Sequence, residues 1–443
     1  MFEVWAIRYS RGIVGQSILT PPFARADSGA LACEGVPLST IAEAVGTPTY
    51  VYSANAVRDQ YARLAAALSG VPFRIHYSLK ANSNRALLSL LRSLGSAADV
   101  VSGGELYRAQ RAGFPASDII FGGVGKTEPE IADGLDAGVL LLNVESDDEV
   151  RIVDRLARER GVVARIALRV NPEITVETPH SYIRTGEKGH KFGIPYDEVR
   201  EVARLAASLP NVVVHGLDMH VGSQLSRLDA YRHGIERVLE LLAQLRADGA
   251  RDLRYLDIGG GLAVTYDAEE PTDLEQYAEI VVPAVRSTGL ELIVEPGRFM
   301  VGNAGVLISR VLYRKRSGGK ELLVVDAGMT DLLRPSHYNA YHRIEAVETI
   351  EGRSRVDVVG PVCESGDFLA LDRELEDLRA SDLIAVHSAG AYGYAMSSNY
   401  NTRGRPAEVL VDGDRFALVT QRESYEHLVA PEVLEPEWRG RVD

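Results

Sequence analysis

Between residues 72 and 294 a short, apolar, often β-branched run appears eight times. The runs fall at 73–79, 98–102, 118–121, 139–143, 164–170, 212–219, 255–258 and 291–294. The first seven are each followed by an amphipathic stretch, for example 85–94, 104–112, 148–160, 197–208 and 228–247. Strands this short and this continuously apolar are the kind buried on both faces between helices. Eight βα units in ~230 residues predict an α/β fold, a (β/α)8 TIM-like barrel. A doubly wound open sheet has the same local alternation and is the structural rival.

After Gly305 the pattern changes. Runs at 306–313, 321–325, 343–349, 355–359, 383–388 and 408–411 alternate or stay apolar without long helices between them. Val411-Asp412-Gly413-Asp414 ahead of 415–419 is a hairpin signal. This reads as a C-terminal all-β barrel or sandwich, completed by an N-terminal strand within 49–52. The division expected is an extension at 1–29, a β-domain segment at 30–52, the barrel at 53–305 and the C-terminal β domain at 306–443. A chain of 443 residues is long enough for two such domains. Residues 1–28 lack the positive start of a signal peptide and read as a loose extension.

Composition narrows the partners. With 48 basic and 62 acidic residues the formal charge is −14, which disfavours nucleic acid and anionic membranes. No stretch approaches ~18 uninterrupted apolar residues, so no spanning helix is expected. Two cysteines, Cys33 and Cys363, cannot form a disulfide framework and fit a reducing, cytoplasmic setting. Ten histidines without HExxH, and cysteines without CxxC, argue against a zinc site, and no metal is expected.

In a βα barrel the chemistry gathers at the C-terminal ends of the strands. There the chain places Lys80, Ser102-Gly103-Gly104-Glu105, Arg169, Asn171, His220 to Gln224, Gly259-Gly260-Gly261 and Glu295-Pro296-Gly297-Arg298. The loops after strands seven and eight commonly bind phosphate, and three glycines let backbone N–H groups close on its oxygens. Ser223 adds a hydroxyl. A lysine at a strand tip beside a phosphate cradle suggests a Schiff base to pyridoxal phosphate. Partial burial and nearby cations are expected to lower its pKa. His220 is placed to stack on a pyridine ring, and Glu295 to accept a hydrogen bond from its nitrogen. The plain alternatives are a surface lysine, a structural histidine and a Glu295–Arg298 salt bridge. In the β domain Arg334 to Tyr338, Gly360 to Asp367 and Gly390 to Tyr394 form polar clusters. Read alone, Cys363 is equally an apolar filler, and Glu364 to Asp367 a solvated turn.

Together these residues resemble the diaminopimelate decarboxylase family of fold-type III, alanine-racemase-like pyridoxal phosphate enzymes. The resemblance runs from about Phe23 through nearly the whole chain. It includes Gly46-Thr47-Pro48-Thr49-Tyr50-Val51-Tyr52, Lys80-Ala81-Asn82-Ser83-Asn84, Asn143-Val144-Glu145-Ser146, Lys191-Phe192-Gly193, His220-Val221-Gly222-Ser223-Gln224 and the glycine and Glu295–Arg298 motifs. The β domain adds Asp326-Ala327-Gly328-Met329, Gly360-Pro361-Val362-Cys363-Glu364-Ser365 and Met396-Ser397-Ser398-Asn399-Tyr400-Asn401. Departures are small: Leu79 stands where the family often has Val, and Ala263 where Gly is common.

The resemblance implies a head-to-tail homodimer with the active site at the interface. It implies that Lys80 bonds pyridoxal phosphate and His220 stacks on it. Ser223, Gly259, Gly260, Gly261, Glu295, Pro296, Gly297 and Arg298 hold its phosphate and pyridine nitrogen, with Tyr392 nearby. Arg298, Arg334, Tyr338 and Tyr392 resemble substrate contacts. Cys363 resembles the proton donor and Glu364 the contact to the distal amine, both from the partner subunit. The implied reaction is decarboxylation of meso-2,6-diaminopimelate at its D-centre, giving L-lysine, the last step of lysine biosynthesis. The rivals are a decarboxylase of ornithine, lysine or another basic amino acid, a non-catalytic pyridoxal-phosphate-binding regulator, and a racemase. A distal arginine beside an acid favours diaminopimelate, whose far end is itself an amino acid.

Overall fold

The computed structural model describes residues 21–174 and 189–439. Eight parallel strands follow one another around a closed ring: Phe73–Ser78, Ala97–Val100, Ile119–Phe121, Leu141–Val144, Ala164–Asn171, Val212–Met219, Tyr255–Asp257 and Glu291–Val294. Closure rests on the last strand returning to the first, with Leu292 opposite Phe73 and Val294 opposite Ile75. That pairing excludes the open doubly wound sheet. At the lip, Ile194–Pro195 adds to Val170–Asn171.

The strands alternate strictly between two environments. Ile119, Phe121, Leu142, Ile166, Leu168, Leu292 and Val294 join the main core under the helices. Their neighbours Ile120, Leu141, Ala167 and Ile293 form a separate cluster. With a side-chain period of two, the separate cluster is the filling of the barrel lumen. The same alternation turns Ser78, Asp99, Asn143, Arg169, Asp218 and Asp257 inward, because each is flanked by residues of the main core. The lumen is therefore apolar in one layer and charged in the layer nearer the strand tips.

The second domain is built on the long strand Gly305–Ser317. It pairs with Lys320–Val325, with Leu383–Val386 and with Thr49–Ser53. Thr49–Ser53 is inserted between Gly305–Ser317 and Ala407–Asp412, with Val51 opposite both Val306 and Val409. An N-terminal strand thus completes the C-terminal sheet, as expected, and Asp412 pairs with Arg415 across the expected hairpin. Sequence patterning missed Phe368–Glu376, which pairs with Arg353–Val359. Its charged Asp372-Arg373-Glu374 stretch, with Asp372 and Glu374 exposed, hides the strand. The loose extension read over residues 1–29 is corrected at its end. Phe23–Arg25 pairs with Leu31–Cys33, Phe23 is buried edge-on to His387, and Arg25 Nη2 donates to Ala346 O at 2.8 Å. Residues 1–20 lie outside the described residues. Among the described residues no helix is long and apolar enough to cross a membrane.

The two domains meet at buried Glu408. Its carboxylate accepts from Tyr52 Oη at 2.7 Å, Asn84 Nδ2 at 2.8 Å and Thr420 Oγ1 at 2.6 Å. Asn84 also caps the helix Arg85–Ser93 through the Ala86 N–H. Glu408→Ala removes three hydrogen bonds at the seam and leaves the buried Tyr52 hydroxyl without its acceptor, a loss of about 3 kcal/mol at roughly 1 kcal/mol per hydrogen bond. The expected outcome is a lower denaturant midpoint in equilibrium unfolding, with Glu408→Gln intermediate.

Candidate active site

Lys80 stands in the turn Leu79–Ala81 directly after the first barrel strand. Its Nζ lies 3.3 Å from Oδ2 of Asp99, which also accepts from Ser78 Oγ at 2.5 Å. The expectation of a lysine pKa lowered by cations is overturned. Burial does disfavour the ammonium, but the Asp99 and Glu295 carboxylates outweigh it and raise the pKa. The lysine side chain is 39% exposed, so a carbonyl carbon has access to it.

His220 ends the sixth strand's turn. Its Nδ1 accepts from the Gly260 N–H at 3.2 Å, which leaves the ring proton on Nε2. Burial, then Lys80 and Arg169, hold its pKa well below the usual histidine range, so the ring is neutral. The glycine turn is closely packed on this side. A Cβ on Gly260 would lie 2.2 Å from Glu295 O, and one on Gly261 2.4 Å from Gly222 O, at a φ of +105°. The expected phosphate cradle is refined here. The Gly259 N–H donates to Asp257 Oδ1 at 2.9 Å and the Gly260 N–H to His220. Among the described residues only the Gly261 N–H of the three has no protein acceptor.

Opposite, Arg298 Nη2 donates to Ser223 Oγ at 3.2 Å and Nη1 to Tyr266 Oη at 2.5 Å. Its guanidinium lies 4.8 Å from the Tyr392 ring centroid, and its buried Nε has no partner. The Glu295–Arg298 salt bridge is not formed among the described residues. Glu295 instead faces Asp218 and Asp257, with carboxylate oxygens of all three within 4.8 Å. Burial raises all three pKa values, Asp218 to about 6; repulsion from Asp218 adds to that of Asp257, and repulsion from Asp257 to that of Glu295. Pro296 O accepts from the Ser78 N–H at 3.2 Å, and a Gly297 Cβ would touch Ala81 at 3.0 Å, so the eighth strand's turn seats against the lysine turn.

Lys80, His220, Ser223, Gly261, Glu295, Gly297, Arg298 and Tyr392 line one cleft. Arg334 and Tyr338 come from the β domain beside it. Arg334 is buried, 4.5 Å over the Tyr266 ring, and Tyr338 stands close enough to act on both guanidiniums. Cys363 and Glu364 do not join the cleft within this chain. Cys363 is exposed, not an apolar filler, and its N–H donates to Asn401 Oδ1 at 2.7 Å. Glu364 is exposed too. Site residues absent from the sequence reading are Asp99, Asp218, Asp257, Tyr266 and His342. For the three acids the available signal was a single carboxylate inside an apolar strand, which is costly to bury without a purpose.

The closed barrel with its strand-tip lysine over glycine turns is that of a pyridoxal-dependent decarboxylase, as the match to that family shows. The family model for "Pyridoxal-dependent decarboxylase, pyridoxal binding domain" matches residues 54–302. The chain is 45% identical to the diaminopimelate decarboxylase of Aquifex aeolicus, over 93% of this chain and 97% of that one. It is 48% identical to that of Pseudomonas fluorescens, over 92% and 98%. The solved diaminopimelate decarboxylase of Helicobacter pylori, complexed with L-lysine, superposes with a TM-score of 0.86 at 39% identity, covering 89% and 99%. This chain belongs to the diaminopimelate decarboxylase family.

Its cofactor is pyridoxal phosphate, and the cleft fits that group. Gly261 offers a free N–H where a side chain has no room, Arg298 has an unspent buried Nε, and Lys80 is the accessible amine. Gly260→Ala forces the turn away from Glu295. Pyridoxal phosphate affinity should fall at least about tenfold, the effect of ~1.4 kcal/mol, in a spectroscopic titration. Borohydride reduction of the loaded wild type followed by peptide mapping should place the label on Lys80. A label on another lysine overturns that assignment.

Proposed function

We infer that the chain removes carbon dioxide from the D-centre of meso-2,6-diaminopimelate and so forms L-lysine. The observation that carries this reading is a pair of buried guanidiniums, Arg298 and Arg334, with no carboxylate partner among the described residues. A buried cation without a counter-ion is costly, and an anionic ligand offsets that cost. Ornithine or lysine decarboxylation presents a single terminal amine at the distal end, where Arg334 has no task. Diaminopimelate presents a carboxylate there as well. A non-catalytic relative would be expected to lose the lysine or the cysteine, and this chain has both Lys80 and Cys363.

When bound, pyridoxal phosphate supplies an electron sink for the pair released as the carbon–carboxylate bond breaks. The protein contributes the rest. The Gly261 N–H, Ser223 and Arg298 hold the phosphate end. Glu295 would accept a hydrogen bond from the pyridine nitrogen, and neutral His220 would stack on the ring. Asp99 would hold Lys80 as an ammonium whenever that amine is not bonded to the cofactor. Arg334 and Tyr338 hold the distal carboxylate, Arg298 and Tyr392 flank the substrate, and Glu364 meets the distal amine. Cys363 donates the proton that replaces the lost carboxylate. The last two act from the partner of a homodimer, because in their own subunit they face outward. Cys33 and Cys363 are both unpaired, which suits a cytoplasmic enzyme.

Purified protein incubated separately with meso-diaminopimelate, ornithine and lysine should release L-lysine and carbon dioxide from the first alone. Arg334→Ala should lower kcat/KM for diaminopimelate about 10- to 100-fold, from a lost charge-assisted contact of ~1.5–3 kcal/mol, with cofactor content unchanged. Turnover of ornithine at a comparable rate sinks the assignment.

The shared site is tested by mixing. Lys80→Ala and Cys363→Ala should each be inactive. A heterodimer of the two has one site with both lesions and one with neither. With equal mixing and subunit exchange, about a quarter of wild-type sites should return. A mixture no more active than its parents, with exchange confirmed by mass, excludes a site built from two subunits.

A further inference from the structure

We propose that His342 is a positioning residue that aims Arg334 at its ligand while leaving the guanidinium charge unspent. The proposal rests on reading Arg334 as the contact to the distal carboxylate. His342 is fully buried between the helix Arg334–Tyr338 and the strand Ile344–Ala346. Its Nδ1 lies 2.8 Å from His387 O, and its Nε2 lies 3.0 Å from Arg334 Nη1. A carbonyl only accepts and a guanidinium only donates. One ring state satisfies both: a neutral imidazole with its proton on Nδ1 and its lone pair on Nε2. Burial, then Arg334 itself, push its pKa down to about 3, in keeping with that state.

The ring is fixed from two further sides. It stands edge-on to Tyr266, with centroids 5.3 Å apart and planes at 84°, and the Tyr266 face carries the Arg334 guanidinium. Arg373 Nη1 donates to His342 O at 2.9 Å and ties down the backbone. Arg334 is thus held by a neutral acceptor and an aromatic face. The same chain treats Arg169 the opposite way, with Glu145 at 3.0 Å and Asp218 at 3.8 Å. A carboxylate at position 342 would hold Arg334 just as firmly, but it would compete with the carboxylate of any ligand. The imidazole gives the guanidinium a direction without giving it a counter-ion, which is preorganisation for an anion.

The test uses the cofactor-loaded enzyme with two probes that differ by one carboxylate, L-lysine and cadaverine, in binding measurements alongside steady-state kinetics. His342→Ala should weaken L-lysine about tenfold and raise KM for diaminopimelate similarly, the scale of one hydrogen bond to a charged group. Cadaverine binding, cofactor content and kcat should stay within about twofold. His342→Gln, which restores an acceptor, should recover most of the L-lysine affinity. His342→Asp should bind L-lysine less well than His342→Ala, because it adds a competing anion. If His342→Ala weakens L-lysine and cadaverine equally, or His342→Asp binds L-lysine as well as wild type, the proposal is overturned. If His342→Ala fails to fold, the Gln-against-Asp contrast decides alone. Arg334→Ala separates the two readings. Unchanged L-lysine binding there removes the carboxylate contact itself, whereas a loss there without a loss in His342→Ala removes only the role of His342.

Discussion

Asp99, Asp218, Asp257 and Glu295 are buried together near the C-terminal end of the barrel, and taking carboxylates out of water is expensive. Much of the site follows from how that cost is met. Lys80 lies against Asp99 and Arg169 against Asp218, so two cations are drawn to fixed places at the strand tips. Asp257 holds the first glycine of the phosphate turn by its N–H, so the charged layer also shapes the backbone above it. Too few cations are present to neutralise every acid, and the crowding of Asp218, Asp257 and Glu295 favours protons among them. Bound pyridoxal phosphate would bring a pyridine nitrogen that Glu295 could hold protonated, adding a positive charge to this layer. The apolar layer of Ile120, Leu141, Ala167 and Ile293 beneath keeps water from entering to screen these charges.

The β domain supplies what the barrel alone lacks. The barrel contributes a lysine, a glycine turn and one guanidinium. The other guanidinium, its supporting histidine and the ring of Tyr392 come from beyond residue 333. The strand Thr49–Ser53 makes the two domains inseparable, because the chain starts in one sheet, builds the barrel and returns to the same sheet on both sides of that strand. Substrate recognition and cofactor chemistry are thereby placed on different domains that share one hydrogen-bonded seam.

The barrel was legible because its strands announce themselves twice, by apolar runs and by polar, glycine-rich ends. The positions of Lys80, His220, the glycine triplet and Glu295 followed from counting strands. What escaped notice lay inside strands treated as uniformly apolar. Asp99 between Ala98 and Val100, or Asp257 between Leu256 and Ile258, looks like a blemish in a buried strand until the lumen is seen to be charged. Tyr266 and His342 escaped for another reason. Neither lies at a strand tip or in a distinctive spacing, and their roles arise from contacts between residues far apart in the chain, such as the one between His342 and His387. The lysine environment was misjudged in sign, since spacing alone does not reveal that its nearest neighbour is Asp99.

The turn that carries Lys80 is stitched to the far end of the polypeptide. Asn82 Nδ2 donates to Gly390 O at 3.1 Å, and the Tyr392 N–H donates to Ala81 O at 2.8 Å. A ribosome makes the lysine more than 300 residues before it makes these partners. A nascent chain can therefore close its barrel while the turn bearing the reactive amine still lacks its final supports. The hydrogen bonding of the turn is complete only once the segment around Gly390 to Tyr392 has been made and has docked.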